Sequence, residues 1–282
     1  GVGFEIARIL TYMGAKVIIA CRNEKDGLEV QDYIKGDSEY INLDLEKFAS
    51  IEKFSQAVEK RYSKIDILIN NAGVMACPEM RTPEGWELQF AVNQIGHFVL
   101  TKGLLPLMQA AEGARLVTLS STGHKMSGIR WDDIHFNDSE YEKWAAYGQS
   151  KTAASLLAIE VDKRMKDSGV RAFGVHPGGI MTPLQRHLEQ EEMVALGWMD
   201  KDGQPTERVA KMFKTPTQGA STSLWAATSP QLNDIGGVYC ENCEVAAPTD
   251  DGENARFIGV NDWAVDSEEA SRLWDETERM LS

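Results

Sequence analysis

Tyr147 and Lys151 are the residues whose types and spacing most directly suggest chemistry. They are four positions apart, about one helical turn, so on a helix the phenol and the ammonium lie on one face. A nearby cation lowers the pKa of a phenol and makes it a usable acid and base. The hydroxyl of Ser121, which ends an apolar run, could hold a carbonyl oxygen beside them. An isolated pair of this spacing is more often a surface feature of an amphipathic helix, so its surroundings decide between the two interpretations.

Short β-branched runs alternate with amphipathic segments and would supply those surroundings. The predicted strands cover residues 15–21, 40–44, 65–70, 115–120 and 170–176. The predicted helices cover residues 24–35, 47–63, 83–108 and 143–168, with a last one at about 267–281. Repeated strand–helix alternation implies right-handed crossovers and a doubly wound parallel sheet. We therefore predict an α/β fold, one domain over residues 1–282, and ligands beyond the carboxyl ends of the strands.

Composition restricts the class of partner. The chain has 29 basic and 43 acidic residues, a net charge of −14, which argues against nucleic acid or an anionic membrane surface. A small-molecule substrate fits better, and the sequence has neither a membrane-spanning run nor a signal-peptide pattern. Four scattered cysteines favour a reducing compartment, and we expect a cytoplasmic location. Cys240-x-x-Cys243 lacks further ligands, so we predict no metal site.

Two small-residue turns are candidate cofactor contacts. At the start of the first helix, the backbone of Gly1, Val2 and Gly3 could approach a phosphate, with helix amides facing the anion. The alternative is two glycines in a fraying terminus. The predicted strand at 65–70 runs into Asn71-Ala72-Gly73, where a flat ring could lie, although an Asx turn with glycine explains the same residues.

The ends of the strands predicted at 15–21 and 40–44 bear on cofactor choice. A site selective for NAD would place a carboxylate at the end of the strand at 15–21, where this chain has Arg22. An arginine can pair with a 2′-phosphate, so NADP is favoured over NAD. The alternative is a solvated arginine at a loop entry. Asp44 and Leu45 could edge an adenine pocket, or Asp44 could simply cap the following helix.

Further polar residues occur at predicted strand ends and inside a helix. Asn93 is disfavoured in the middle of a helix, so a kink there could free a carbonyl for a water that relays protons toward Lys151. The alternative is a buried amide that ties two elements together. Pro177 and Gly178 follow the strand at 170–176 and would turn against the cofactor. Thr182 is then placed to bond a carboxamide.

Residues 180–215 read as a loop-and-helix flap over a pocket, which would select the substrate. The flap is rich in large apolar side chains, which favour an apolar or bulky substrate but would also pack any helical lid. These side chains are Met181, Leu184, Leu188, Met193, Leu196, Trp198 and Met199.

Together these segments resemble the short-chain dehydrogenase/reductase family over nearly the whole chain. The finer similarity, in Asn71-Ala72-Gly73-Val74-Met75, Gly96-His97-Phe98 and Tyr147-Gly148-Gln149-Ser150-Lys151, is to its retinol-dehydrogenase-like and WW-domain oxidoreductase branch. The resemblance implies a Rossmann fold, a nicotinamide cofactor and an oxidoreductase that interconverts an alcohol and a carbonyl compound. It also implies a catalytic set that falls on Asn93, Ser121, Tyr147 and Lys151, and a homodimer paired through the helices at 93–108 and 143–168.

One departure from the family pattern concerns the start of the chain. The family's glycine motif begins with a Thr-Gly pair on a preceding strand, whereas this chain starts with the last two glycines, Gly1 and Gly3. We therefore expect the first strand to be missing here. Any targeting or anchoring segment upstream of that strand would be missing as well. Without that strand we expect an unstable or inactive protein unless the missing segment is restored. A non-catalytic dinucleotide-binding scaffold and an inactive fragment are the alternatives to an active enzyme.

Overall fold

The computed structural model describes residues 1–252 and 255–282. Seven strands are present in these ranges: β1 Val17–Cys21, β2 Ser38–Asn42, β3 Ile67–Asn70, β4 Arg115–Leu119, β5 Arg171–His176, β6 Val238–Glu241 and β7 Glu244–Val245. The helices are α1 Val2–Tyr12, α2 Glu24–Tyr33, α3 Phe48–Arg61, α4 Leu88–Phe90, α5 His97–Gln109, α6 Lys143–Met165, α7 Gln190–Ala195, α8 Glu207–Met212, α9 Pro216–Thr228 and α10 Ser267–Met280. No helix of the described ranges is both long and apolar enough to cross a bilayer.

The strands form two sheets rather than one. β1 and β2 pair with each other, and β3-β4-β5-β6-β7 form a second sheet, with every pair parallel except β6–β7. Within the described part of the chain, no strand lies between β1 and β3. The strands β1 and β3 on either side of this break are apolar but mostly half-exposed, whereas every residue of the central strand β4 is buried. The predicted α/β architecture with a mainly parallel sheet is confirmed.

Helices cover both faces of the sheet, and α6 is the most deeply buried. All of its residues from 146 to 162 are buried, because β4 and β5 lie on one side and α10 lies on the other. Trp274 of α10 packs edge-on against Phe98 of α5, with ring centroids 4.7 Å apart, in the same apolar cluster. Pairing of two copies through α6 would require α10 to move away from this helix.

The predicted helix at 83–108 is wrong at its start. Gly85 has a φ of +90°, and its N–H donates to the carbonyl of Thr82, which makes residues 82–85 a turn. Helix begins only at Leu88, where the buried Glu87 carboxylate accepts the N–H groups of Gln89 and Phe90. A π-helix then runs over Ala91–Gly96 before α5.

The remaining predicted elements lie within a few residues of the observed ones. The strand predicted at 40–44 starts two residues earlier, because Ser38 already pairs with Val17 of β1. The sequence patterns missed α9 and the strands β6 and β7. A signal for α9 was present: Thr215 and Gln218 form a capping box around Pro216 in the first turn.

Candidate active site

Two hydroxyl groups of β4 and the loop after it tie that strand to α6. Thr118 Oγ1 donates to the carbonyl of Ala154 at 2.7 Å, and Ser120 Oγ donates to the carbonyl of Lys151 at 2.7 Å. The Lys151 ammonium returns a hydrogen bond of 3.0 Å to the carbonyl of Leu119. These contacts set the register of α6, and they bring Lys151 to the carboxyl end of the parallel sheet.

Two glycines let Ser121 approach Tyr147. Ser121 begins a 3₁₀ turn over Thr122–Met126, and its Oγ accepts the N–H of Gly123 at 3.0 Å. A Cβ on Gly123 would lie 2.7 Å from Cε1 of the Tyr147 ring, and a Cβ on Gly148 would lie 2.8 Å from the carbonyl oxygen of Gly123. The turn therefore packs directly on α6, with the Ser121 hydroxyl beside the phenol.

Burial dominates the electrostatics of the pair. It raises the pKa of Tyr147 to about 12, while the neighbouring Ser121 hydroxyl acts in the lowering direction. It lowers the pKa of Lys151 to about 8, because the ammonium loses its water. Lys151 Nζ lies 5.6 Å from the centroid of the Tyr147 ring. The sequence-based expectation of a lowered phenol pKa is therefore wrong for the protein alone, since burial raises the pKa and Lys151 is not among the groups that lower it.

Asn93 lies in the π-helix and not on the cavity wall. Its Nδ2 donates to the carbonyl of Val74 and to Ser150 Oγ, both at 2.9 Å, and its Oδ1 accepts the N–H of Val74 at 2.9 Å. The carbonyl of Asn93 is 3.1 Å from Nδ1 of the buried His97. The side chain thus ties the turn after β3 to α6, which agrees with the interpretation of Asn93 as a buried amide that joins two elements. The water relay stays a prediction.

A cavity of about 960 Å³ opens at the carboxyl ends of the strands. This volume is at the upper end of the range for small-molecule and cofactor sites. Most of the predicted site residues line it: Gly1, Val2, Gly3, Asn71, Ala72, Gly73, Ser121, Tyr147, Lys151, Pro177, Gly178 and Thr182. Flap residues Leu184 and Trp198 form part of the wall, and Trp198 belongs to the apolar cluster around Tyr147.

Three predicted cofactor residues lie outside the cavity wall. Arg22 is exposed and pairs with Glu46 at 2.7 Å. The Asp44 carboxylate accepts the N–H of Glu46 at 3.1 Å and pairs with Lys47 at 3.0 Å, so it organises the loop before α3. Leu45 is buried against the π-helix, where a Cβ on Gly96 would lie 2.5 Å from the Leu45 carbonyl oxygen.

The sequence patterns did not identify His124 as part of the support for Ser121. Its Nδ1 donates to the Ser121 carbonyl at 2.7 Å, and its Nε2 accepts the N–H of Asn261 at 3.1 Å. This pattern assigns the neutral ring with its proton on Nδ1, and burial lowers the pKa of His124 to about 4. Tyr239 of β6 packs against the same ring. A lone histidine with no acidic neighbour in sequence carried no signal of this role.

No cluster of three or more His, Cys, Asp or Glu side chains suited to a metal occurs in residues 1–252 and 255–282. Cys240 is buried in β6, while Cys243 lies exposed in the β6–β7 turn.

Comparison with known proteins is consistent with this geometry. The family model described as short chain dehydrogenase matches residues 1–193. The chain is 39% identical to a probable oxidoreductase of Streptomyces lividans, over 98% of this chain and 92% of the relative. It is 33% identical to human retinol dehydrogenase 13, over 100% of this chain and 81% of the relative. A crystal structure of an uncharacterized protein from Mycobacterium paratuberculosis is similar with a TM-score of 0.74 and 29% identity, over 99% and 88% of the two chains.

The family model covers more than half of the chain, and the alignments with relatives named as dehydrogenases are nearly complete. The chain therefore belongs to the short-chain dehydrogenase/reductase family, and it is an oxidoreductase acting on CH–OH groups.

Proposed function

We propose that this protein is an NADP-dependent oxidoreductase that interconverts an alcohol with an aldehyde or ketone, with Tyr147 as the acid and base. The observation that carries the proposal is the convergence of three side chains, Ser121, Tyr147 and Lys151, on one wall of a large cavity. A hydroxyl donor, a phenol and an amine are the groups needed to hold a carbonyl oxygen and to exchange one proton with it.

Each side chain has a distinct role in the proposed reaction. Ser121 orients the substrate oxygen, and Tyr147 donates the proton to it. Lys151 lies beside the ring and orients the nicotinamide ribose, and Asn93 is a positioning residue that holds Val74 and Ser150. Bound NADPH would supply the hydride. Because burial raises the pKa of Tyr147 to about 12, the phenol is protonated at neutral pH and can serve as the acid in carbonyl reduction.

Several groups are available for the cofactor. The start of α1 at Gly1–Gly3 leaves amides free to face a phosphate, and nothing would contact a Cβ on Gly1 within 4 Å. Residues 71–73, Pro177, Gly178 and Thr182 all line the cavity. Residues 71–73 would border the dinucleotide, and Pro177, Gly178 and Thr182 would border its nicotinamide. The end of β1 carries Arg22 instead of a carboxylate, and this supports NADP over NAD. To bind the 2′-phosphate of NADP, Arg22 would have to leave its salt bridge with Glu46. Asp44 and Leu45 would edge the adenine.

Replacement of Tyr147 by Phe tests the proposal. We expect steady consumption of NADPH on a panel of aldehydes and ketones by the wild type, and a loss of about 10²- to 10⁴-fold in kcat for the variant. NADPH affinity should stay within a few-fold, since the phenolic oxygen alone is removed. Tyr141→Phe is the matched control, because Tyr141 is partly buried but does not line the cavity. Unchanged turnover in Tyr147→Phe would refute the role, and NADPH binding without any wild-type turnover would favour the scaffold.

Cofactor choice is tested separately with Arg22→Asp. We expect at least a tenfold rise in the KM for NADPH, with a smaller change or a fall for NADH, because the aspartate repels the 2′-phosphate and accepts ribose hydroxyls. Arg8→Asp, a change at another surface arginine, controls for net charge. An unaltered ratio of the two KM values would remove Arg22 from the cofactor site.

A further inference from the structure

The cavity is basic in an acidic protein. No aspartate or glutamate of the described residues lines it, although the whole chain has 43 acidic and 29 basic residues. The basic side chains on its wall are Lys125, Lys151, Arg186, Arg208, Lys214 and Arg256. A cleft with charges of one sign attracts ligands of the opposite sign, so this cavity favours an anion.

Three lysines of the wall already have protein partners. Lys151 donates to the Leu119 carbonyl, and Lys214 donates to Asn242 Oδ1 at 2.8 Å. Lys125 donates to Thr249 Oγ1 at 2.8 Å and to the carbonyl of Ala255 at 2.7 Å. These hydrogen bonds use donors that a ligand would need, so the lysines are weaker candidates for the anion than the arginines.

Arg208 and Arg256 both line the cavity, and both approach the ring of Phe257. Their guanidinium carbons are 5.3 Å and 5.8 Å from the centroid of the Phe257 ring, which both side chains share. The neighbouring Glu207 pairs with Lys211 rather than with Arg208, and within the part of the chain that the structure describes no carboxylate pairs with Arg208. Lys125 holds the segment that carries Arg256 and Phe257, because its ammonium donates to the carbonyl of Ala255.

An apolar wall connects Tyr147 with α8. Trp144 packs edge-on against Tyr147 and against Trp198, with ring centroids 6.3 Å apart in each case. Trp198 packs in turn against Phe213, at 5.8 Å between centroids. Phe213 ends α8, and Arg208 lies in the first turn of that helix. The wall therefore leads from the Tyr147 phenol to α8, the helix that carries Arg208.

We propose that the substrate is an amphipathic anion: an apolar alcohol or aldehyde whose far end carries a carboxylate bound by Arg208 and Arg256. The position of its reacting end rests on the proposed function, whereas recognition of the carboxylate depends on the arginines alone. Guanidinium groups bind carboxylates through paired, charge-assisted hydrogen bonds. The cofactor phosphates are assigned to Gly1–Gly3 and Arg22, which belong to other elements, so they do not account for this pair.

Matched aldehydes of increasing length test the proposal. ω-Oxocarboxylates of four to twelve carbons are compared with the neutral n-aldehydes of equal length, with NADPH in excess. In each reduction the aldehyde carbon gains a hydride and its oxygen gains a proton, while NADPH is oxidised to NADP⁺. We expect kcat/KM for the ω-oxocarboxylate to exceed that of the neutral aldehyde at least tenfold at an optimal length, because the distance between the arginines and the Tyr147 phenol is fixed. Arg208→Gln with Arg256→Gln should remove this preference and change turnover of neutral aldehydes less than threefold.

Lys211→Gln is the matched control, since Lys211 lies on the same helix and pairs with Glu207 in solvent. Equal kcat/KM for both series at every length, or a preference that survives in the double variant, would overturn the proposal.

A binding measurement separates failure of this inference from failure of the proposed function. If neither aldehyde series is reduced, binding alone tests the inference, and dodecanoate and dodecanol are compared through quenching of tryptophan fluorescence, since Trp144 and Trp198 line the cavity. At least tenfold tighter binding of dodecanoate, lost in the double variant, would support recognition of the anion. Equal binding of the two probes would overturn it. Displacement of dodecanoate by saturating NADP would also overturn it, because the arginines would then serve the cofactor.

Discussion

At the scale of single residues, burial drives Tyr147 and Lys151 toward their uncharged forms. The phenol has its pKa raised to about 12 and the amine has its pKa lowered to about 8, so each group is close to neutral over part of the working pH range. The Leu119 carbonyl compensates only part of the hydration that the ammonium loses. The active site is thus a place where the fold gives up stability for chemistry.

The pH dependence of stability should reveal the buried ammonium. The folded-state pKa of Lys151, about 8, lies below its ordinary value of 10.5, so the unfolded chain binds more protons between these two pH values. Stability from this group therefore rises with pH through that window, and below it folding carries the full cost of burying the charge. We expect Lys151→Met to raise the free energy of unfolding by about 1–3 kcal/mol at pH 7, and by much less at pH 9.5. Urea denaturation at both pH values measures the difference.

Lys53→Met, an exposed change on α3, should alter stability by less than about 0.5 kcal/mol at either pH. Tyr147 acts in the opposite direction only above pH 10, because its pKa is raised. A stabilisation by Lys151→Met that is the same at pH 7 and pH 9.5 would show that folding does not lower the pKa of Lys151.

At the scale of elements, the contact between the Thr122–Met126 turn and α6 determines whether Ser121 meets Tyr147. The 3.6-residue period of α6 made the shared face of Tyr147 and Lys151 predictable. The approach of the turn was not predictable, because it depends on two glycines from separate segments, Gly123 and Gly148, which have no relation in sequence. Gln149 also anchors the segment after the turn, donating to the Ile134 carbonyl at 2.9 Å.

Gly148→Ala should damage the site without removing any reacting group. The new Cβ would lie 2.8 Å from the carbonyl oxygen of Gly123 and 3.0 Å from the Ser127 nitrogen, so the backbone of the turn must move. We expect a loss of about 1–3 kcal/mol in the free energy of unfolding, against a gain of about 1 kcal/mol in helix propensity, and at least a tenfold fall in kcat/KM. Thermal denaturation and steady-state kinetics give the two numbers.

Gly103→Ala on α5 is the control, since its nearest neighbour is the hydroxyl of Ser55 at 3.0 Å, which can rotate away. If Gly148→Ala keeps wild-type kinetics, close packing of the turn is not what positions Ser121.

At the scale of the whole molecule, the sheet has a strong half and a weak half. β4 is hydrogen-bonded on both sides and fully buried, while β1 has a single partner strand and is mostly half-exposed. In the break between the sheets, α1 packs on Ala220 of α9 and on Ile67 and Ile69 of β3. This half carries the start of α1 and Arg22, so its stability bears directly on the proposed cofactor site.

Hydrogen exchange should resolve the two halves. We expect the amides of β1 and β2 to open with a free energy at least about 2 kcal/mol lower than those of β4 and β5, because they have fewer partner strands and less burial. Native-state exchange followed by NMR or mass spectrometry measures these values, with α6 as an internal reference for the protected core. Equal protection in both sheets would contradict this division.

The fold class and the local geometry of α6 were predictable from the chain alone, because strand and helix periods and the spacing from Tyr147 to Lys151 depend on neighbouring residues alone. The depth at which these groups are buried depends on how the elements pack, and it makes the pKa of the phenol rise instead of fall. Only the tertiary structure decided that Asn93 contacts Val74 and that Arg208 and Arg256 share one ring, since residues far apart in the chain meet only when the elements pack.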